Sequence, residues 1–337
     1  MAATMKDIAR DLQVSLMTIS KALRNHSDIS EETRKRVLES AEKLGYQPNW
    51  IARSLVTRRT YMVGLVIPDL MHSFFAEVAK GLSRKLEPLG YQIVISDSEG
   101  NPKTEERQLR LLMARSLDGL IVASSHTNAR AEIFGKLRAQ KVPYVLIDRT
   151  LSPLDMHYVG TKDDEIGSLA TEHLIEQGCR RIAHIRGPVI STGTGRLRGF
   201  RRMLAKHSLD ALPEYVVNGH HTDVTGYQAM RKLLSLKPRP DGVFCYNDPV
   251  AAGAIKAVLE AGLRVPHEVA IIGAGNVHYS DLLRVPLSTV DQSSLEIGEK
   301  AAELLARCME AKTPLPMEHI FIPARLVVRE STQRGAP

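Results

Sequence analysis

Cysteine is scarce in this chain. Cys179, Cys245 and Cys308 are odd in number, far apart and without a Cys-x-x-Cys pair. A disulfide framework and a zinc knuckle are thereby excluded, and a reducing, cytoplasmic compartment is expected. Long apolar runs are missing as well: no stretch of about 18 apolar residues occurs, so no membrane-spanning helix is expected. The start, MAATMKDIARD, carries acids early and lacks an apolar secretion core. There is no Walker sequence, no Gly-x-Gly-x-x-Gly after a first strand, no His-Glu-x-x-His and no Gly-x-Ser-x-Gly. Those gaps remove the usual signatures of nucleotide, metalloprotease and hydrolase chemistry. Gly273-Ala274-Gly275 is too little for a dinucleotide site, and no cofactor is expected. His220 and His221 stand together as metal ligands often do, but no third ligand has a suitable spacing, so no metal is expected.

At 337 residues the chain exceeds one core of ordinary size, and two or three domains are expected. Hydrophobic content of 43% and charged content of 25% are those of a globular protein. The net charge of +7 is unevenly placed. Residues 1–60 carry 11 Lys and Arg against 7 Asp and Glu, while the other 277 residues carry 34 against 31. The first sixth of the chain therefore holds four of the seven excess positive charges. A polyanion should bind there, because Lys and Arg displace counterions from phosphates.

That same region has a clear local pattern. Residues 4–24 read as two short helices around a tight turn. Thr4 caps the first, whose apolar side is Ile8, Ala9 and Leu12; Gln13 and Val14 turn; Ser15 caps the second. Ile19, Ala22 and Leu23 then face inward, and Leu16, Met17, Ser20 and Lys21 face out. Alone, the segment has a plainer alternative, a helical hairpin in a core. A third helix directly after it favours a major-groove reader. Ser30-Glu31-Glu32-Thr33 opens that helix, which has a buried stripe of Val37, Leu38, Ala41 and Leu44 and is stopped by Gly45.

The ordered series MKDIARDLQVS, TISKAL, ISEETRKRVLESAEKLGYQPN, ARSL and VGLVIPD resembles the LacI/GalR family of bacterial transcription regulators, from about Met5 to about Arg329. The resemblance implies a small all-α helix-turn-helix head with a hinge helix. Behind them it implies an α/β two-lobed core of the type I periplasmic-binding-protein kind, built of doubly wound parallel sheets. The expected divisions are 1–47 for the head, 48–60 for the hinge and 61–337 for the core. Lobe 1 would span about 61–160 plus 293–322, and lobe 2 about 161–292 plus 323–337. The implied function is a ligand-responsive, sequence-specific repressor, a homodimer on a pseudo-palindromic DNA operator, controlled by a small carbohydrate-like effector. A tail after Arg329 without heptads predicts a dimer rather than a coiled-coil tetramer. Rival readings are a periplasmic-type sugar-binding protein, a corepressor-type regulator sensing a purine or anionic metabolite, and an enzyme of sugar metabolism on the same fold.

Ser15, Thr18 and Ser20 suit phosphate and groove contacts. By resemblance, base choice falls to Leu16, Met17 and Lys21; lysine donates to guanine, while the other two offer only apolar contact. Gln13 stands where the family usually has glycine, so an altered turn is expected. In the hinge, the resemblance gives Leu55 the part of a minor-groove wedge, with Asn49, Ala52 and Arg53 beside it.

From Tyr61 the texture changes to short apolar strands alternating with amphipathic helices. Strands are predicted at 62–67, 91–96, 119–123, 144–148, 182–185, 242–246 and 269–273. Helices are predicted at 75–89, 104–115, 165–177, 199–207, 226–236 and 251–261. Such alternation makes parallel, doubly wound sheets. Asp118-Gly119-Leu120-Ile121-Val122 echoes Asp241-Gly242-Val243-Phe244-Cys245, which points to two similar lobes. Ligands bind at the carboxyl ends of such strands. Candidate effector residues are Asp69, Phe74, Phe75, Ser124, Asp148 with Arg149, Thr192, Arg196, His221 beside His220, Asn247, Asp248, Gly275 with Asn276, and Gln292. Phe74 or Phe75 either stacks on a ligand ring or packs in the core. Asp248 either meets the ligand or caps the helix after it. Arg196 either offers its donor fork to the ligand or makes an interlobe ion pair. Gly275 replaces an acid usual in sugar- and purine-sensing members, which predicts a larger or more anionic ligand.

Overall fold

The computed structural model describes residues 3–23, 26–46, 54, 57, 59–128 and 131–334. The predicted hinge residues Asn49, Ala52, Arg53 and Leu55 lie outside the described residues. The chain divides into two compact units, residues 1–60 and 61–337.

The first unit contains the helices α1 Met5–Leu12, α2 Leu16–Leu23 and α3 Glu31–Lys43. Ile8, Ile19, Ala22, Val37 and Ala41 form its buried core. The ends are set by local chemistry. The Asp7 carboxylate takes the Thr4 N–H at 2.9 Å and the Thr4 hydroxyl at 2.7 Å. Ser15 Oγ accepts from the Thr18 N–H at 3.1 Å, and Ser30 Oγ from the Thr33 N–H at 3.2 Å. Gln13 closes α1 in the left-handed region, φ 54° and ψ 39°, so a side-chain-bearing residue takes the conformation a glycine would take at less cost. One predicted core position is wrong: Leu38 is 50% exposed. The inward place falls three residues after Val37, at Ser40, which is buried and donates to Asp11 Oδ2 at 2.7 Å.

The second unit alternates strands and helices: β1 Met62–Ile67, α4 Ser73–Leu86, β2 Gln92–Asp97, α5 Pro102–Ala114, β3 Gly119–Val122, α6 Glu132–Ala139, β4 Tyr144–Ile147 and β5 Tyr158–Gly160. It continues with α7 Asp163–Glu176, β6 Ile182–Arg186, α8 Ser191–Lys206, β7 Val216–Asn218, α9 Asp223–Leu234, β8 Gly242–Cys245, α10 Asp248–Glu260 and β9 Ala270–Gly275. The chain ends with β10 Ser288–Asp291, α11 Ser294–Glu310, β11 His319–Phe321 and β12 Arg325–Val327. All seven predicted strands are present, β1 with the predicted bounds and the other six with ends shifted by one or two residues. The short strands β5, β7, β10, β11 and β12 had no prediction, because three or four residues give too little alternation to register.

Two six-stranded sheets result, ordered β11-β5-β4-β3-β1-β2 and β12-β10-β9-β8-β6-β7. Pairing is parallel except that β12 runs antiparallel to β10. Strands β3, β4, β8 and β9 are buried along their whole length, as strands covered by helices on both faces must be. The sequence echo has a structural counterpart. Asp118, before β3, accepts the Tyr61 N–H just ahead of β1 at 3.0 Å. Asp241, before β8, accepts the Arg181 N–H just ahead of β6 at 2.9 Å. Each aspartate pins the start of the neighbouring central strand in its own lobe.

Helix α8 starts eight residues earlier than predicted. Its glycines are there for contact: a Cβ on Gly199 would strike the Asp164 carbonyl, and one on Gly167 of α7 the Arg196 carbonyl. Backbone therefore packs on backbone, and Arg196 of α8 is brought beside Asp163 at the start of α7.

Candidate functional site: a DNA-reading face and an effector cleft

On the head, α2 turns Ile19 and Ala22 inward and leaves Leu16 at 44% and Met17 at 68% exposed. Two such apolar side chains next to each other in water are costly unless something covers them. Lys21 lies on the same helix and forms an ion pair with Asp28, which also contacts His26 Nδ1 at 2.9 Å. Ser15 is exposed and uses its hydroxyl on the helix cap and on Thr18, at 2.9 Å.

In the core, a cavity of about 250 Å³ opens where the carboxyl ends of the two sheets meet. Of the predicted residues it is lined by Asp69, Phe74, Phe75, Asp148, Arg149, Arg196, His220, His221, Asn247 and Gln292. Arg196 is the most constrained. Its Nε donates to Asp163 at 3.0 Å, one terminal nitrogen to the Tyr246 carbonyl at 2.6 Å and the other to Gln292 Oε1 at 2.8 Å. Its guanidinium lies 4.8 Å above the Tyr246 ring. Three of five N–H groups are thus used by the protein, and two remain for the cavity. Asp163 is largely but not fully buried, and burial lifts its pKa to about 7 although Arg196 opposes this. Asp148, after β4, sits at φ 59°, and its pKa is raised by burial against the pull of Arg149 and Arg196. A non-glycine residue in that conformation at a strand end is strain held in place at a site.

Five predicted residues do not line the cavity. One is Asn276, whose Oδ1 accepts from Arg329 at 2.9 Å. The Ser124 hydroxyl turns the other way and donates to the buried Glu105 at 2.6 Å; its neighbour Ser125 is the one at the cavity. Successive residues of an extended segment face opposite ways, and the prediction was one residue off. Thr192 lies behind, its hydroxyl 2.7 Å from the Tyr246 hydroxyl, where it fixes the ring beneath Arg196. Asp248 is buried and spends its carboxylate on Thr289 at 2.6 Å, Ser280 at 2.8 Å and the Val277 N–H at 3.0 Å. It anchors the segment after β9, while Asn247 is the residue that caps α10. Gly275, at φ 137°, packs towards Asp248, and Ala274 takes the lining position.

Sequence reasoning missed His72, Glu99, Ser125, Tyr246 and, behind Arg196, Asp163. Asp163 carried a usable signal, an acid in the first turn of a helix directly after a strand end. His72 carried none, because the residue it meets, Asn247, lies 175 residues away.

Known proteins resemble both parts. Residues 4–49 match the family described as bacterial regulatory proteins, lacI family. Residues 171–332 match the periplasmic binding protein-like domain. The chain is 33% identical to the ribose operon repressor of Halalkalibacterium halodurans over 333 residues, 98% of either protein. The chain belongs to the LacI family. It is accordingly a DNA-binding transcriptional repressor and not an enzyme. Among solved structures, this LacI-family chain is similar to the transcriptional regulator CelR in its cellobiose complex. There the identity is 29% and the TM-score 0.74, over 98% of this chain and 99% of that one. It shares its fold with the Lac repressor dimer bound to operator and the anti-inducer ONPF, with a TM-score of 0.86 and 23% identity over 98% and 99%. No helix among the described residues is long and apolar enough to cross a membrane.

Proposed function

We propose that this repressor acts as a homodimer on a pseudo-palindromic operator and senses a compact, neutral, hydroxyl-rich effector, carbohydrate-like in kind, in the cleft between its lobes. The observation that carries the effector reading is the mixed donor and acceptor lining around Arg196. Asp69, Glu99 and Asp148 outnumber Arg149 and Arg196 at the cavity. Asp148, its pKa already raised by burial, gains from a hydroxyl donor and loses from a second negative charge. This weighs against the anionic ligand that Gly275 suggested. A volume of about 250 Å³ lies at the small end for ligand pockets, which favours one ring over a larger ligand. The solved complex of CelR with cellobiose supports a sugar. A purine is the second reading, because Phe74, Phe75 and Tyr246 put aromatic rings in the same lining.

On DNA, Leu16, Met17 and Lys21 read base edges, with Ser15, Thr18 and Ser20 on the backbone, and Asn49, Ala52, Arg53 and Leu55 act in the minor groove. The exposed Leu16 and Met17 favour sites with thymine methyls. The core divides at 61–160 plus 293–322 and 161–292 plus 323–337, and effector binding changes how these lobes meet and how two hinges pair. The test is a titration of labelled genomic duplexes at two salt concentrations, with and without D-ribose, D-glucose, cellobiose or hypoxanthine. Affinity is expected to fall steeply with salt and to change about 5- to 150-fold with one of the small molecules. Leu55→Ala is expected to lose most operator affinity. Salt-independent binding, or full affinity in that variant, contradicts the DNA part.

A further inference from the structure

Helix α2 carries a single charge, Lys21, and in the DNA-free head that charge is already engaged. Lys21 Nζ donates to Asp28 Oδ2 at 2.5 Å. The other oxygen of Asp28 accepts from His26 Nδ1 at 2.9 Å. The backbone holds the acid in place without help from the lysine. The His26 N–H donates to the Lys21 carbonyl at 3.1 Å, and the Ile29 N–H to the His26 carbonyl at 3.3 Å. From α3, Arg34 donates to the His26 carbonyl at 3.0 Å, and Ser30 caps the same helix. Asp28 therefore belongs to a turn tied to both helices, and the flexible lysine comes to it.

Lys21 is one third exposed and Asp28 about half, so the pair adds little to the stability of the head. Its place gives it another use. A lysine alone on a groove-facing helix attracts any phosphate, whatever the sequence. Beside an ionised Asp28 it forms a pair without net charge, and the acid repels phosphate oxygens. The Lys21 hydrogen bond holds the Asp28 carboxyl below its ordinary pKa, so the acid stays charged. An ammonium has three hydrogens. One is spent on Asp28, and that bond fixes the directions of the other two. Guanine presents two acceptors in the major groove, O6 and N7. The ammonium can serve them and keep its bond to Asp28.

We propose that Asp28 is a specificity-determining residue of the head: it neutralises Lys21 towards phosphate and orients it towards guanine, so that DNA of the wrong sequence loses more than the operator does. The inference rests on Lys21 facing the bases. Discrimination is a difference of affinities, and weakening the wrong complex widens it as surely as strengthening the right one. The neighbouring Leu16 and Met17, both exposed, act in the same sense, because apolar contact is of no use to a phosphate.

The test compares two labelled duplexes on full-length protein: one that the natural protein selects from a randomised pool, and a scrambled duplex of the same composition. Asp28→Asn is expected to bind the scrambled duplex about two- to fivefold more tightly at low salt. Its salt slope there should steepen by about 0.9, one phosphate contact. The gain on the selected duplex should be smaller, so the ratio of the two affinities falls. Glu42→Gln makes the same change of charge at an exposed position of α3 and should leave the ratio unchanged. In a Lys21→Met background, Asp28→Asn should no longer alter the ratio. An unaltered ratio in Asp28→Asn alone, or an equal fall of the ratio without the lysine, overturns the proposal. If Lys21→Met keeps its full preference for the selected duplex, the assignment of Lys21 to the bases fails first, and the role of Asp28 with it. A readout without DNA is the carboxyl ¹³C titration of Asp28. Its midpoint is expected below the ordinary 3.8 and should return there in Lys21→Met; a midpoint indifferent to the lysine overturns the pairing.

Discussion

Lobe 2 and lobe 1 are built on the same strand order, yet they hold their cleft side chains differently. In lobe 2 the protein supplies the partners. Arg196 donates to Asp163, Gln292 and the Tyr246 carbonyl, and Asn247 is fixed at both ends of its amide. In lobe 1 Asp148 and Arg149 come only within 3.7 Å, and Arg149 Nε is buried without a hydrogen-bond partner. Lobe 2 therefore presents a preorganised surface, and lobe 1 keeps polar capacity that a ligand can take up. Preorganised groups cost little to bind to, and unpaired ones gain most when bound.

The contrast is broken most severely at Arg196. Arg196→Met leaves Asp163, Gln292 and the Tyr246 carbonyl buried without their donor. It is expected to cost about 3–5 kcal/mol of core stability, measured by urea unfolding. A loss near zero would mean that lobe 2 is no more preorganised than lobe 1.

A smaller effect is expected at His72. Burial holds its pKa at about 4 in the folded chain against an ordinary 6.5. Between these values the unfolded chain binds more protons, so the contribution falls as pH drops from 6.5 to 4 and is constant below. Asp163 works in the opposite sense: raised from 3.8 to about 7, it loses its contribution as pH rises through that range. Removing the histidine leaves the Asp163 part. His72→Gln should therefore gain about 1–2 kcal/mol relative to the natural protein between pH 6.5 and pH 4. Unfolding curves at several pH values, run in parallel, give the difference; parallel pH profiles would show that the ring is not held neutral.

In lobe 1, Arg149→Ala is expected to change stability by less than about 1 kcal/mol. The same variant should weaken the effector found in the screen by about tenfold. Calorimetry reads both, and a stability loss matching Arg196→Met would erase the contrast. The smallest effect lies in the head, where the demand is on the backbone. Gln13→Gly should stabilise by about 0.5–1 kcal/mol, because glycine takes φ 54° without the strain a side chain adds. A lower melting temperature for the first transition would contradict it.

The sequence by itself determined the elements whose causes are local. Thr4, Ser15, Ser30 and Gly45 mark helix ends because each bonds a group within a few residues of itself. The apolar runs of β1, β3, β4, β8 and β9 mark buried strands because both faces are covered. The sequence also placed most of the cavity-lining candidates near strand ends, which follows from the parallel order. Tertiary structure decided which of two neighbours faces the cavity: Ser125 over Ser124, Asn247 over Asp248, Ala274 over Gly275. A one-residue shift reverses a side chain's direction, and only the packing of the next helix or loop fixes it. The meeting of His72 with Asn247 and of Arg196 with Asp163 was decided there as well. Those partners lie far apart along the chain, and only the folding of two lobes against each other, or of one helix onto the next, brings them within hydrogen-bond reach.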